Sequence, residues 1–239
     1  RKADGSLITP YQIYGRAKGY PELFYCEGST ISLKGSTTRK IAFERTSKQH
    51  VRISQNTVKD SVLVEKMLMN KQNFKSAKDV DGFVPQASGL YCIRIKNVHL
   101  LPEPFGTILL ERGHDILYIG IASENLYNRF LNQELRAKGH GTFFRSMGAV
   151  LGYKPPKGSL IEKRNKKNYK FSKTDELKII GWINENLMVN WVESAGDLDS
   201  LETSLIVKYL PLLNLSKNPA ALQILSYLRK ECVEIANRN

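Results

Sequence analysis

Two tyrosines, one arginine and a distant glutamate carry the chemistry that this sequence suggests. Arg129 has a planar guanidinium that stays charged at physiological pH and can hold two phosphate oxygens at once. Tyr91 and Tyr118 can orient or deprotonate a water, although a phenol with an ordinary pKa of about 10 acts as a base only when a neighbour depresses it. Glu202 offers a hard oxygen ligand suited to Mg2+ or Mn2+. Phosphodiester hydrolysis needs these parts: an activated water, a group to neutralise charge on the transition state, and help for the departing 3′ oxygen. Each residue also has a plainer reading. Tyrosines pack sheets, arginines line amphipathic helices, and a glutamate in a first helical turn suits the helix dipole. Residue type alone favours the plainer readings.

The elements that would position these residues run from Ser88 to Tyr153. Apolar residues alternate along Leu90, Cys92, Ile93 and Ile95, and again along Ile116, Leu117 and Ile119, which predicts two hairpin-like strands. Gly120 to Ser123 then turns the chain into a helix carrying Leu126, Phe130, Leu131 and Leu135 on one side, with Ser123 or Asn125 as its cap. Arg129 lies in the first turns of that helix.

The order of these motifs resembles the GIY-YIG nucleases. Gly89-Leu90-Tyr91 stands where the first signature tripeptide belongs, and Tyr118-Ile119-Gly120 matches the second. Arg129 follows Tyr118 by eleven positions, where the family places an arginine. Leu201-Glu202, Leu205-Ile206, Pro211 and Asn214 resemble the segment with the family's metal-binding glutamate and closing asparagine. The match covers roughly residues 81 to 216. It implies an α+β fold, a small antiparallel three-stranded sheet flanked by helices, with Met188–Val192 as the third strand. It also implies a metal-dependent endonuclease that uses Mg2+ or Mn2+ held by Glu202, attacks a DNA phosphate in line, and leaves 5′-phosphate and 3′-hydroxyl ends. Tyr91, Tyr118, Arg129 and Glu202 would be catalytic, and Asn214 would hold local structure near the metal. Relatives serve restriction, homing, repair and recombination, and the extra N-terminal segment leans toward a restriction or mobile-element enzyme. Two departures stand out. Gln133 occupies a position where some relatives carry histidine, which makes His140 the candidate for proton transfer. Ile121 stands where several relatives carry lysine, so Arg136 or Lys138 would have to lower a tyrosine pKa.

Charge agrees with a nucleic-acid partner. Thirty-six Lys and Arg against 23 Asp and Glu leave a formal charge of +13 over 239 residues. Such an excess attracts polyanions, chiefly by releasing counterions from phosphates. Double-stranded DNA is the expected partner, and nothing marks a membrane anchor. Residues 154–173 hold eight Lys and Arg and the single acid Glu162. Pro155, Pro156 and Gly158 make the start of that segment a loop. Lys163, Arg164, Lys166 and Lys167, with Arg136, Lys138 and Arg145, are the expected phosphate contacts, and Tyr169 and Phe171 are positioned to stack on bases. The plainer reading of the loop is a solvated insertion. His99 and His114 read as ordinary surface or packing residues. Cys26, Cys92 and Cys232 are too scattered for a zinc motif or a disulfide framework, so reduced thiols in a cytoplasmic protein of bacterial or phage setting are expected. The sequence opens on Arg1 rather than methionine, so missing targeting signals carry little weight.

Residues 1–80 read as a separate basic α+β domain, with alternating runs in ELFYCEG, STISLKG, KIAFERT and HVRISQ and a helix from Thr57 to about Asn70. They carry +8 against +5 for residues 81–239, which suits DNA docking or, equally, a structural appendage. The nuclease-like domain spans 81–239, with its basic loop at 154–173. The connection through Pro102-Glu103-Pro104 and Arg112–Asp115 is expected as a loop between strands. Thr174 opens a helix with Leu177, Ile180, Trp182, Ile183 and Leu187 on its apolar face. A helix runs from Leu201 to Leu210, and the last one starts at Asn218-Pro219. Two alternatives stay open: a non-catalytic nucleic-acid-binding protein on a degenerate nuclease fold, and a protein-interaction scaffold.

Overall fold

The computed structural model describes residues 61–239 in full, with the backbone of residues 24–27, 30–33 and 55–60. The chain divides into two compact units, 1–52 and 53–239. In the first unit, β1 (Phe24–Glu27) and β2 (Thr30–Leu33) pair antiparallel in the register Phe24↔Leu33 to Glu27↔Thr30. The KIAFERT and HVRISQ runs lie outside the described residues.

The second unit is built on an antiparallel sheet of four strands in the order β3-β6-β4-β5. They are β3 (Lys75–Ser76), β4 (Gly89–Ile95), β5 (Ile116–Ala122) and β6 (Leu187–Glu193). The sheet thus has one strand more than the three expected. The fourth, β3, is two residues long and pairs Lys75↔Val189 and Ser76↔Met188, so it is too short to have a readable period. In β4 every residue except Arg94 is buried, because helices cover both faces of the sheet. On one face Leu90, Cys92, Ile119 and Val192 pack with Leu68, Leu205 and Ile206. On the other, Tyr91, Ile93, Leu117 and Tyr118 pack with Phe130, Phe143, Ile179 and Leu225. Fully burying one such aliphatic or aromatic side chain contributes about 1.5–3 kcal/mol. These two clusters, more than local propensity, hold the unit together.

Helix α1 (Gln55–Met69) belongs to this second unit. Its last turn is tied to β6 by Asn190, whose Nδ2 donates to the carbonyls of Met67 (2.9 Å) and Leu68 (2.8 Å). The compact unit therefore begins earlier than the boundary near residue 80 that composition suggests.

The connection between β4 and β5 contains a helix, α2 (Phe105–Glu111), with Phe105 and Leu109 in the core. At its end Arg112 donates to the carbonyls of Leu210 (2.6 Å), Pro211 (3.2 Å) and Ala220 (2.6 Å). That clasp fixes the chain after α6 (Leu198–Tyr209), which ends on Leu210 in the left-handed conformation (φ 46°), just before Pro211.

Three more helices cover the sheet: α4 (Thr142–Val150), α5 (Lys173–Asn186) and α7 (Gln223–Asn237). In α5, Ile179 and Ile183 set the buried face, and Leu177 is 70% exposed instead of apolar-facing as expected. Helix α7 starts at Gln223 rather than at Asn218-Pro219, because Asn218 is engaged in the turn before it. Its Nδ2 donates to the carbonyls of Pro211 (2.8 Å) and Asn214 (3.0 Å). No helix among the described residues is long and apolar enough to cross a membrane.

Candidate active site

Tyr91 and Tyr118 project from the adjacent strands β4 and β5 onto the same face of the sheet. Their rings stack with centroids 6.2 Å apart, and Tyr91 also stacks on Phe130 at 4.7 Å. Gly120 makes that approach possible. A Cβ there would lie 2.5 Å from the Tyr91 hydroxyl oxygen and 2.9 Å from the Tyr118 ring. The glycine of the second tripeptide is thus needed for space.

Arg129 comes from helix α3 (Tyr127–Leu135), which is wound as a π-helix. Asn125 rather than Ser123 caps its first turn, its Oδ1 accepting from the Asn128 amide at 2.9 Å. An i→i+5 winding takes more than four residues per turn, so side chains four and five positions apart share a face. The expected apolar face fits this, since Leu126 and Leu131, and Phe130 and Leu135, are five apart and buried. The same winding brings Glu134 beneath Arg129, with Nη2 3.0 Å from Oε1. Nη1 of Arg129 donates to Gln133 Oε1 at 3.1 Å.

Glu134 is completely buried. Its Oε1 also accepts from the Tyr91 hydroxyl at 3.4 Å, and its Oε2 accepts from the amides of Phe143 (2.8 Å) and Phe144 (3.3 Å) at the start of α4. Sequence reasoning misses this residue. The available signal is a carboxylate set among Phe130, Leu131 and Leu135 on an apolar face. Charged residues are almost never fully buried unless paired.

Glu202 enters from α6, on the far side of the sequence. Its side chain is 13% exposed, and Oε2 lies 2.7 Å from the ammonium of Lys217. Lys217 has a positive φ of 62° and also bonds Asp199 at 2.5 Å. Tyr91, Tyr118, Arg129, Gln133 and Glu202 line one cleft of about 530 Å³, together with Ser123, Glu124, Asn125 and Asn128. Residues that lie far apart in the sequence therefore meet at one place.

The electrostatics of the cleft keep the phenols neutral. Burial, and then the Glu134 charge, hold both tyrosine pKa values well above the phenol range, and Arg129 offsets this in part. Burial opposes the Arg129 charge, but Glu134, the two phenols and Glu202 outweigh it and hold its pKa above the ordinary value. Burial pushes the Glu134 carboxyl up, against Arg129 and the α4 amides. Among the described residues no group of three or more His, Cys, Asp or Glu side chains could hold a metal. Glu202 and Glu124 are the carboxylates that line the cleft. One carboxylate suits Mg2+, which keeps several waters and takes substrate phosphate as a ligand.

The family model described as the GIY-YIG catalytic domain matches residues 89–231. The chain belongs to the GIY-YIG family. It is thus a member of a nuclease family, with nucleic acid as its class of substrate. Comparison with curated proteins and with solved structures gives no match.

The remaining expected residues of this GIY-YIG domain fall into five groups. Asn214 is buried and acts on backbone. Its Oδ1 accepts from the Ile119 amide (3.0 Å) and its Nδ2 donates to the Ile119 carbonyl (2.8 Å), so it closes the free edge of β5 between the two signature positions Tyr118 and Gly120. His140 is exposed and is not among the residues lining the cleft. Its pKa is lowered by burial, Lys170 and Arg145.

Arg136 and Arg145 form internal clasps. Arg136 binds Asp81 (2.8 Å), Asn184 (3.1 Å) and the Ala77 carbonyl (2.8 Å). Arg145 is 9% exposed and bonds the carbonyls of Gly141 (3.2 Å) and Lys167 (3.0 Å) and the Asn168 side chain (3.1 Å). Neither fork is open to a phosphate as expected. The cations that oppose the rise in the Tyr118 pKa are Arg129 and Arg229. Arg229 donates to Ser146 Oγ at 2.7 Å.

Lys138, Lys163, Arg164, Lys166 and Lys167 are exposed. Tyr169 and Phe171, expected to stack on bases, are buried and anchor the basic loop to the core.

Proposed function

We propose that this chain is a metal-dependent endonuclease that hydrolyses phosphodiester bonds of double-stranded DNA. The observation that carries this reading is the convergence of Tyr91, Tyr118, Arg129 and Glu202 on one cleft. Two hydrogen bonds to Gln133 and Glu134 fix the Arg129 guanidinium and leave further N–H donors for phosphate oxygens, where charge develops in the transition state. Held neutral, Tyr118 acts as a donor that orients the phosphate, and Tyr91, whose one proton goes to Glu134, offers its oxygen as an acceptor to the attacking water; neither is a resident base. Glu202 would hold Mg2+ or Mn2+, which supplies neutralising charge and lowers the pKa of a bound water. The exposed Lys163, Arg164, Lys166 and Lys167 would contact the DNA backbone, and the +8 charge of residues 1–80 adds a second attraction for DNA.

The test is nicking of supercoiled plasmid by the full chain in Mg2+ or Mn2+, against the same reaction in EDTA and with Glu202→Ala. Cleavage that requires both the ion and Glu202, and that spares RNA, is expected. DNA that binds with steep salt dependence yet stays intact in every divalent ion would make the chain a non-catalytic nucleic-acid-binding protein. Absence of binding would favour a scaffold.

A further inference from the structure

A carboxylate buried away from water is costly to keep charged unless its oxygens are matched by donors and a counter-ion. Glu134 has both, and they come from three separate elements. Oε1 takes the Arg129 guanidinium at 3.0 Å from α3 and the Tyr91 hydroxyl at 3.4 Å from β4. Oε2 takes the Phe143 and Phe144 amides of α4 at 2.8 and 3.3 Å. The backbone is shaped for this contact. A Cβ on Gly141 would lie 2.5 Å from Oε2 and 2.2 Å from the Gln133 carbonyl oxygen, so the chain entering α4 passes the carboxylate where only glycine fits. The π-winding of α3 puts positions 129 and 134 on one face, which an i→i+4 helix would turn apart.

Resting on the hydrolytic reading above, we propose that Glu134 is a positioning residue for phosphodiester cleavage. It holds the Arg129 fork with its remaining donors toward the cleft. Glu134 itself is fully buried and is not among the residues lining the cleft. It acts through Arg129, which is 32% exposed in its side chain. The α4 amides are the anchor that keeps the carboxylate from following the arginine toward a phosphate.

A double-mutant cycle tests this, with single-turnover nicking of plasmid DNA in Mn2+ by wild type, Glu134→Gln, Arg129→Lys and the double variant. Glutamine keeps an acceptor for the amides and removes the charge. Misplacing a catalytic group by about 1 Å costs on the order of 10²-fold in rate, so Glu134→Gln is expected to slow cleavage by about that factor with DNA affinity unchanged. In the Arg129→Lys background the same change should alter the rate by no more than about two-fold, the usual limit of additivity. An equal loss in both backgrounds, or an unchanged rate in Glu134→Gln, overturns the proposal. If Glu134→Gln does not fold, or Arg129→Lys has no measurable rate, Glu134→Asp decides. It keeps the charge one methylene further away, so a fallen rate with unchanged DNA affinity supports positioning, and a full rate refutes it. The hydrolytic reading fails separately, if Arg129→Ala and Glu202→Ala both cut at the wild-type rate.

Discussion

Replacing Gly120 by alanine should destabilise the fold, although the strand backbone there accepts alanine and the change reduces the freedom of the unfolded chain. A new Cβ would lie 2.5 Å from the Tyr91 hydroxyl oxygen, 2.6 Å from its Cζ and 2.9 Å from Tyr118 Cε1. Ordinary carbon contacts sit at about 3.5–4.0 Å, so the rings must retreat by roughly 1 Å. Tyr91 has little room to do so, since it is completely buried, stacked on Phe130 at 4.7 Å and bonded through its hydroxyl to Glu134. Overpacking of this kind costs about 1–3 kcal/mol, and the entropic gain of removing a glycine returns about 0.4–1 kcal/mol. The net loss is about 1–2 kcal/mol, a fall in Tm of about 2–8 °C for a unit of this size. Because the displaced ring carries a residue of the site, cleavage should fall further than stability. Tyr91→Phe should not rescue the variant, since Cζ is nearly as close as the hydroxyl. Gly181→Ala on α5 is the control. Its Cβ meets nothing within 4 Å, so it should stabilise the helix by about 0.5–1 kcal/mol. Urea melts of both variants read the difference. Gly120→Ala as stable as wild type would refute the claim that the signature glycine is kept for ring clearance.

Lys217→Met removes an ammonium 2.7 Å from Glu202, so divalent binding to the free chain, followed with Mn2+ by paramagnetic resonance, should tighten by a few-fold, on the order of an exposed ion pair; weaker binding would mean that Lys217 supports the ion. Alanine at Lys163, Arg164, Lys166 and Lys167 together should weaken DNA binding and lower its dependence on log salt by about 0.9 for each phosphate no longer neutralised, and an unchanged slope would move the DNA elsewhere. Tyr91 and Tyr118 have folded pKa values above the unfolded value of about 10. Their contribution to stability is therefore intact below pH 10 and is lost as pH rises toward the folded values, because the unfolded chain releases those protons first. Denaturation curves between pH 8 and 11 should fall only at the alkaline end, with phenolate absorbance appearing together with unfolding; phenolate in the folded state would contradict the burial argument.

How much of this is legible without the structure divides by the range of the interaction. Strands β4, β5 and β6 and helix α6 follow from apolar periods and local caps, which a sequence carries directly. Tyr91, Tyr118, Arg129 and Glu202 are recognisable as a set because their order and spacing match a family. Other features have no such signal. Strand β3 exists only because β6 supplies its partners, Leu177 is exposed because the phase of α5 is set by what Ile179 and Ile183 touch, and Arg136 and Arg145 look like phosphate ligands until Asp81, Asn184 and the Lys167 carbonyl fill their forks. Sequence by itself determined which chemistry is available, since that depends on residue type and local order. Tertiary structure decided which charged groups remain free for a substrate and which are consumed inside, and it alone revealed Glu134. Burial and pairing depend on residues distant along the chain, and the free energy of a charge depends on what surrounds it.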